Sequence, residues 1–165
     1  MTQVVAETSA HTETADGSSA ALAFLNSLAI FNGLPRRDLA DLQRMCTEET
    51  YTPGEVIIRE GTAGSDLFII RDGRVRVSID TPKGARELAN FEAGSYFGEM
   101  SLFDEYVRSA TVTATAPVLV YRMARTQFTR FAMKRPSILF QVCKVLTHRL
   151  RGTNTLLTQF SANGD

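Results

Sequence analysis

Two short runs of this chain combine residue types that suit the binding of an anion. The first is Phe97-Gly98-Glu99-Met100-Ser101, and the second begins at Arg108, nine residues after Glu99. A helix that starts in the first run presents backbone N–H groups without intrahelical partners, and its dipole attracts negative charge to them. Arginine contributes a permanent charge and a planar fork of donors that matches two phosphate oxygens. Ser109 and Ala110 follow with a hydroxyl and a backbone amide, so the two runs predict an anion site.

Glu99 fits such a site only if the ligand also donates hydrogen bonds. A ribose phosphate does both, because its hydroxyl groups donate and its phosphate is negative. Two structural alternatives stay open at this point. Glu99 could stabilise the dipole at a helix start, and Arg108 could form an ion pair with Asp104 or Glu105. The occurrence of all these residues in register favours ligand binding.

Length and composition suit one domain with an ordinary core. The chain has 165 residues, of which 44% are hydrophobic, and Lys+Arg and Asp+Glu both total 18. No net charge therefore attracts it to nucleic acid or membrane. Residues 121–151 contain eight Lys or Arg residues and no acid, which we interpret as solvated helix faces rather than as a nucleic-acid contact. No signal segment or apolar run of membrane-spanning length occurs, so we expect a cytoplasmic protein that does not contact a membrane.

The two cysteines, Cys46 and Cys143, lie in apolar helical patterns. We expect reduced thiols in the core, with a disulfide or redox role as the alternative. The two histidines, His11 and His148, form no His-Xaa-His pair. An enzyme or metal protein on a cupin-like roll therefore lacks its ligands, and we predict no catalytic residue, metal or cofactor.

The residues that could bind an anion lie within a stretch of short strands, which helices flank on both sides. Residues 1–19 lack periodicity and predict a disordered tail. A helical pattern starts at Ala20, and a second helix starts at Pro35. The remainder, 20–165, reads as one domain, with a roll at about 51–122 and C-terminal helices at about 124–160.

Within the roll, β-branched runs alternate with turns that contain glycine. This pattern predicts mainly β structure, an antiparallel β-roll or jelly-roll barrel. Asp72-Gly73 gives the strongest signal for a tight hairpin, because such turns need positive φ. The predicted strands are 56–59, 67–70, 75–79, 87–91, 110–115 and 118–121.

Three motifs resemble the cyclic nucleotide-binding domain family. They are Val56-Ile57-Ile58-Arg59-Glu60-Gly61, the segment from Leu67 to Val75, and Ala93-Gly94-Ser95-Tyr96-Phe97-Gly98-Glu99, in register with Arg108. The family includes catabolite activator proteins, regulatory subunits of protein kinase A and ligand domains of gated channels. The resemblance covers about residues 31–153.

The resemblance implies a site for a cyclic nucleotide. Glu99 would accept the ribose 2′-hydroxyl, and Arg108 would pair with the cyclic phosphate. The implied ligand-binding residues are Phe97, Gly98, Glu99, Met100, Ser101, Arg108, Ser109 and Ala110. On the base side the resemblance implies Val77 and Leu88 as apolar neighbours and Thr153 as a contact to the adenine amine.

Cyclic AMP is the expected ligand rather than cyclic GMP. Ser109 stands where guanine-selective relatives tend to carry threonine, and Thr153 stands where activator proteins place a threonine against adenine. The chain departs from the family pattern at Gly152, which could interrupt the last helix, and at Val107, where a proline is common. Both departures bear on the shape of the site.

We expect a stand-alone receptor that signals to a downstream effector by movement of the last helix. The chain ends at Asp165, where activator proteins begin a DNA-binding domain, so no such domain is expected. The last helix is apolar on more than one face, and either a homodimer through this helix or burial against the roll accounts for that pattern. The alternative function is a protein-interaction scaffold that has lost its ligand.

Overall fold

The computed structural model describes residues 10–104 and 106–162, with the side chains of all of these except 10–16, 149 and 153–162. Two helices precede eight strands, and two helices follow them. The N-terminal helices are α1 (Ala10–Ser27) and α2 (Arg36–Met45), and the C-terminal helices are α3 (Arg125–Met133) and α4 (Ser137–Ala162). The helix α1 begins at Ala10, earlier than the predicted start at Ala20, and the first part of the predicted tail lies outside the described residues.

The strands form two four-stranded antiparallel sheets. The strands are β1 (Thr47–Tyr51), β2 (Val56–Ile58), β3 (Leu67–Asp72), β4 (Arg74–Thr81), β5 (Gly84–Glu92), β6 (Tyr96–Phe97), β7 (Thr111–Ala114) and β8 (Val118–Met123). The first sheet has the order β1-β8-β3-β6, and the second has the order β2-β7-β4-β5. The prediction of a mainly β roll with flanking helices is confirmed, but the two sheets do not close into a barrel. The strands β1 and β6 were not predicted.

The strand β3 of the first sheet is buried on both faces. Along β3, Leu67 and Ile69 belong to the core shared with the helices, whereas Phe68 and Ile70 belong to the core between the sheets. Successive side chains of a strand point to opposite faces, so a strand covered on both sides needs an unbroken apolar run. Leu67-Phe68-Ile69-Ile70 is such a run.

The hairpin prediction at Asp72-Gly73 is wrong. The strand before it pairs with β8 and β6 in the first sheet, and the strand after it pairs with β5 and β7 in the second. Gly73 therefore turns a corner between the sheets. Its φ is +92°, and a Cβ there would lie 2.1 Å from the carbonyl oxygen of Pro117, so both conformation and space require glycine. The tight hairpin is instead β4–β5, in which Thr81 pairs with Gly84.

The cysteine prediction is half correct. Cys46 and Cys143 are free thiols, and Cys46 packs against the core, where burial raises its pKa to about 12. Cys143 is exposed, because α4 buries the helix face that carries Ile138 and Val142 instead. No helix in the described part of the chain has the length and apolarity to cross a membrane.

A buried ion pair joins α2 to the junction of α3 and α4. Asp38 is 6% exposed and accepts a hydrogen bond from Arg135, whose guanidinium also lies 4.6 Å from the centre of the Phe131 ring. This hydrogen bond lowers the pKa of Asp38 against the opposing effect of burial. The contact fixes the position of Arg135, two residues before the start of α4.

Replacing Asp38 by asparagine is expected to lower the free energy of unfolding at pH 7 by about 2–3 kcal/mol, because Arg135 loses its ionic partner. The pKa of Asp38 is lower in the folded state than in the unfolded state. Its carboxylate therefore stabilises the fold above the unfolded value of about 3.9, and this stabilisation is lost as the pH falls through the folded value. Urea unfolding at pH 7 and at about pH 3 measures the change.

The matched control is Asp41→Asn. Asp41 lies 3.5 Å from the same Arg135 nitrogen, with its side chain 38% exposed. This variant is expected to lose less than about 1 kcal/mol. If both variants lose the same free energy of unfolding at pH 7, the buried Asp38–Arg135 pair stabilises the fold no more than the exposed contact with Asp41 does.

Candidate ligand-binding site

A cavity of about 580 Å³ lies between the second sheet, the turn after β6 and α4. The lining residues are Ile58, Val77, Leu88, Phe91, Phe97, Gly98, Glu99, Met100, Ser101, Arg108, Ser109, Ala110, Val112, Leu146 and Leu150. The structure thus brings together the residues that the sequence predicted on both the phosphate side and the base side. The exception is Thr153, which lies outside the residues whose side chains are described.

Five lining residues were missed by the sequence reasoning: Ile58, Phe91, Val112, Leu146 and Leu150. Strand alternation contained a signal for Val112, because the polar neighbours Thr111 and Thr113 place it on the opposite face of the strand from theirs. Ile58 is its cross-strand partner, which only the pairing reveals. The leucines are one turn apart on α4, and their direction depends on how that helix packs.

Arg108 is the central charged group of the cavity, and it is only 6% exposed. Its Nη2 donates to the carbonyl oxygen of Asp66 at 3.1 Å, and its Nη1 donates to the carbonyl oxygen of Gly98 at 3.4 Å and to the hydroxyl of Ser101 at 3.3 Å. Burial lowers the pKa of Arg108, and the negative charges of Asp66 and Glu99 oppose this. These hydrogen bonds do not include Asp104, and Glu105 lies outside the described residues.

The backbone of Arg108 is held as firmly as its side chain. Its N–H donates to the carbonyl oxygen of Thr62 at 2.9 Å, and its own carbonyl oxygen accepts from the N–H of Gly61 at 2.8 Å. The loop before β7 is therefore tied to the loop after β2. Because main-chain bonds anchor both sides of the residue, its side chain is directed into the cavity.

Two glycines leave room for this guanidinium. A Cβ on Gly98 would lie 2.6 Å from the carbonyl oxygen of Asp66 and 2.9 Å from Nη1 of Arg108, and its φ is +82°. A Cβ on Gly64 would lie 3.0 Å from Nε and 3.1 Å from Nη2 of the same side chain. The buried arginine therefore depends on residues without side chains at both positions.

Glu99 and Ser101 are buried beside this arginine, at 6% and 5% exposure. Glu99 is the residue before a short 3₁₀ helix, Met100–Leu102, and its side chain forms no cap hydrogen bond there. Stabilisation of the helix dipole by this carboxylate needs no cap hydrogen bond, so that alternative stays open beside ligand binding. The first N–H groups of a helix have no partner within it, so this turn adds donors next to the guanidinium.

The opposite side of the cavity is apolar. Val77 and Leu88 contribute from β4 and β5, and Leu146 and Leu150 contribute from α4. Leu88 and Leu150 are 52% and 62% exposed although both border the cavity. Apolar side chains that face an open cavity from β4, β5 and α4 suit a flat, largely apolar ring. No group of three side chains that could ligate a metal occurs among the residues that the structure describes.

Comparison with known proteins gives a consistent match. The model of the "Cyclic nucleotide-binding domain" family matches residues 48–135. A CRP-like cAMP-activated global transcriptional regulator of Mycobacterium tuberculosis is 32% identical over 129 residues, covering 78% of this chain and 58% of the regulator. The cGMP-dependent protein kinase egl-4 of Caenorhabditis briggsae is 34% identical over 110 residues, covering 65% of this chain and 15% of the kinase. The chain thus spans less than two thirds of either relative.

Solved structures show the same architecture. The catabolite activator protein of Thermus thermophilus superposes with a TM-score of 0.75 at 28% identity, over 81% of this chain and 63% of that protein. The regulatory domain of Toxoplasma gondii PKA, crystallised with cAMP, superposes with a TM-score of 0.66 at 26% identity, over 74% of this chain and 49% of that domain.

Gly98→Ala is expected to lower the free energy of unfolding by about 3–4 kcal/mol. The left-handed backbone costs alanine about 1–2 kcal/mol, and crowding against Asp66 and Arg108 adds about 2 kcal/mol. The control is Gly94→Ala, whose φ is +87° with no atom within 4 Å of the added Cβ. That variant is expected to show the backbone cost alone in urea unfolding. If both variants lose the same amount, close approach to the arginine is not what Gly98 provides.

Proposed function

Because the chain belongs to the cyclic nucleotide-binding domain family, we propose that it is a receptor for cyclic AMP whose output is a movement of α4. The observation that carries this proposal is the buried guanidinium of Arg108, whose hydrogen bonds go to uncharged oxygens beside a helix start. A cyclic phosphate next to it supplies the missing negative charge and accepts from the free N–H groups. The family consists of ligand-binding domains, and we assign no catalytic residue.

The ribose is assigned to Glu99. Its buried carboxylate borders the cavity beside Arg108 and can accept a hydrogen bond, which a 2′-hydroxyl donates. Ser109 and Ala110 complete the phosphate side from the strand end, and Phe97 borders it from β6. The ligand must therefore present a negative phosphodiester and a neighbouring hydroxyl within one compact ring system, which a cyclic nucleotide does.

The base is assigned to the apolar side of the cavity, between Leu88 on the second sheet and Leu150 on α4. The described side chains on this side are apolar, and guanine has more strongly polar groups to leave unpaired there than adenine. Ser109, rather than the threonine that guanine-selective relatives tend to carry, follows Arg108. These features favour adenine, while a contact from Thr153 to the adenine amine stays a prediction.

We assign the signal to α4 because this helix contacts both the cavity and the hydrophobic core. Leu146 and Leu150 border the cavity, while Ile138 and Val142 near its start are buried in the core. A ligand that binds better to one position of the helix shifts its equilibrium by that difference in affinity. We propose that a downstream effector or a second copy of the chain reads this movement. Phe140, 72% exposed on the same helix, is an apolar residue that such a contact would cover.

Isothermal titration of the chain with four ligands tests the function. Cyclic AMP is expected to bind most tightly and cyclic GMP about tenfold less tightly, in line with about 1.4 kcal/mol of discrimination. The 2′-deoxy analogue of cyclic AMP is expected to lose about 1–3 kcal/mol, because Glu99 then lacks its donor. The fourth ligand, 5′-AMP, has an open phosphate, so the difference between its affinity and that of cyclic AMP measures the preference for the cyclic phosphate. No heat at millimolar cyclic nucleotide would contradict the receptor and leave the scaffold alternative.

Arg108→Ala is expected to weaken cyclic AMP binding by about 2–5 kcal/mol, because the phosphate loses a desolvated partner. Arg76→Ala is the control, since Arg76 is an exposed arginine of β4 that does not line the cavity. Circular dichroism verifies that both variants fold. A folded Arg108→Ala protein that binds as tightly as the control would remove Arg108 from the assigned role.

A further inference from the structure

Asp66 contacts two arginines through two different acceptors. Its main-chain carbonyl oxygen accepts from Nη2 of Arg108 at 3.1 Å, inside the site. Its carboxylate oxygen Oδ2 accepts from Nε and Nη2 of Arg122 at 2.9 and 2.6 Å. Asp66 directly precedes β3, so a single residue links the guanidinium in the cavity to a second one on β8.

Arg122 is held in this contact from its other side as well. Its Nη1 donates to Oε1 of Glu49 on β1 at 2.9 Å, and Glu49 also accepts from the hydroxyl of Tyr51 at 2.6 Å. The strand β8 lies between β1 and β3 in the first sheet, and this places Arg122 between the two carboxylates. Its planar fork is fixed by three hydrogen bonds, and it keeps one orientation toward Asp66.

Burial has the largest effect on the pKa of Arg108 and lowers it, and among the charged groups Asp66 acts on this pKa most strongly and raises it. Both arginines also lie close to Phe68: Arg122 is its cross-strand partner, and the guanidinium carbon of Arg108 is 6.0 Å from its ring centre. The guanidinium of Arg108, which the Asp66 carbonyl oxygen already contacts, would then be an alternative cation for an Asp66 carboxylate released from Arg122. An ion pair formed there would neutralise the charge that the phosphate needs.

We infer that Arg122 is a positioning residue for the phosphate site, because it binds the Asp66 carboxylate and prevents it from pairing with Arg108. The carbonyl oxygen of Asp66 then orients the guanidinium without neutralising it. This inference rests on the proposed function, in which Arg108 binds the cyclic phosphate. Arg122, an exposed residue that does not line the cavity, is thereby given a role in ligand binding.

A double-mutant cycle in the full chain tests it, with cyclic AMP as the probe in isothermal titration. Arg122→Gln is expected to weaken binding about tenfold, since Asp66 becomes a competitor of the phosphate. Asp66→Asn alone is expected to tighten binding by about threefold, because a negative charge near the anion is removed. In the double variant, the neutral amide at position 66 cannot compete with the phosphate, so affinity is expected to return to within about threefold of the unaltered chain.

Recovery of cyclic AMP affinity in the double variant distinguishes a positioning role of Arg122 from a purely structural one. If the Arg122–Asp66 pair only stabilised the fold, the double variant, which lacks the pair entirely, would bind as weakly as Arg122→Gln, and that result overturns the inference. Glu48→Gln is the matched control, because it removes the Arg71–Glu48 ion pair of the same sheet, which involves neither Asp66 nor Arg122, and it is expected to leave affinity unchanged. Thermal unfolding of each variant confirms that it is folded at the titration temperature.

The remaining outcomes separate this inference from the proposed function. Cyclic AMP binding by the unaltered chain that does not respond to Arg122→Gln overturns the inference alone. Absence of cyclic nucleotide binding by the unaltered chain overturns the proposed function, and the inference with it.

Discussion

A charged guanidinium is costly to bury, and this molecule depends on how it holds one. Arg108 is almost completely removed from solvent, yet its hydrogen bonds go to two main-chain carbonyl oxygens and a serine hydroxyl. Neutral acceptors orient the group and replace part of its hydration, but they do not neutralise its charge. In the function we propose, this arrangement prepares the fold for a negative ligand, and burial strengthens the interaction because little water screens it.

Much of the surrounding architecture serves this one side chain. Gly98 and Gly64 bring the backbone close to the guanidinium. Main-chain bonds to Gly61 and Thr62 fix the loop that carries it. The cost of this arrangement is strict dependence on glycine, because an added methyl group at Gly98 would meet both a carbonyl oxygen and the arginine. The two sheets supply the rigid frame on which such close contacts are maintained.

The cavity is lined by two parts of the molecule, the roll and α4. The side that carries Arg108 is formed by the segment between β6 and β7, which main-chain hydrogen bonds tie to the loop after β2. The apolar side includes α4, which packs on the core near its start and reaches the cavity one to two turns later through Leu146 and Leu150. A ligand that contacts both sides can link the binding of its charged group near Arg108 to the position of α4. The buried Asp38–Arg135 pair holds the chain in place just before the start of that helix.

The amino-acid sequence by itself was sufficient for the local chemistry. The helix start before Met100, the arginine nine residues after Glu99 and the alternating strands are encoded in neighbouring residues, and the structure brings Phe97–Ser101, Arg108–Ala110, Val77 and Leu88 to one cavity as predicted. Local signals could not show which strands pair. Asp72-Gly73 has the composition of a hairpin, yet it joins two different sheets, because the positive φ of glycine serves either turn equally well.

Tertiary packing decided the rest. Whether Cys143 or Val142 is buried depends on which face of α4 meets the core, and the same rotation directs Leu146 and Leu150 to the cavity. The contact of Arg108 with the carbonyl oxygen of Asp66, and the ion pair of the Asp66 carboxylate with Arg122, each join residues more than forty positions apart in the chain. Such contacts depend on strand order and register, which short-range residue patterns do not specify.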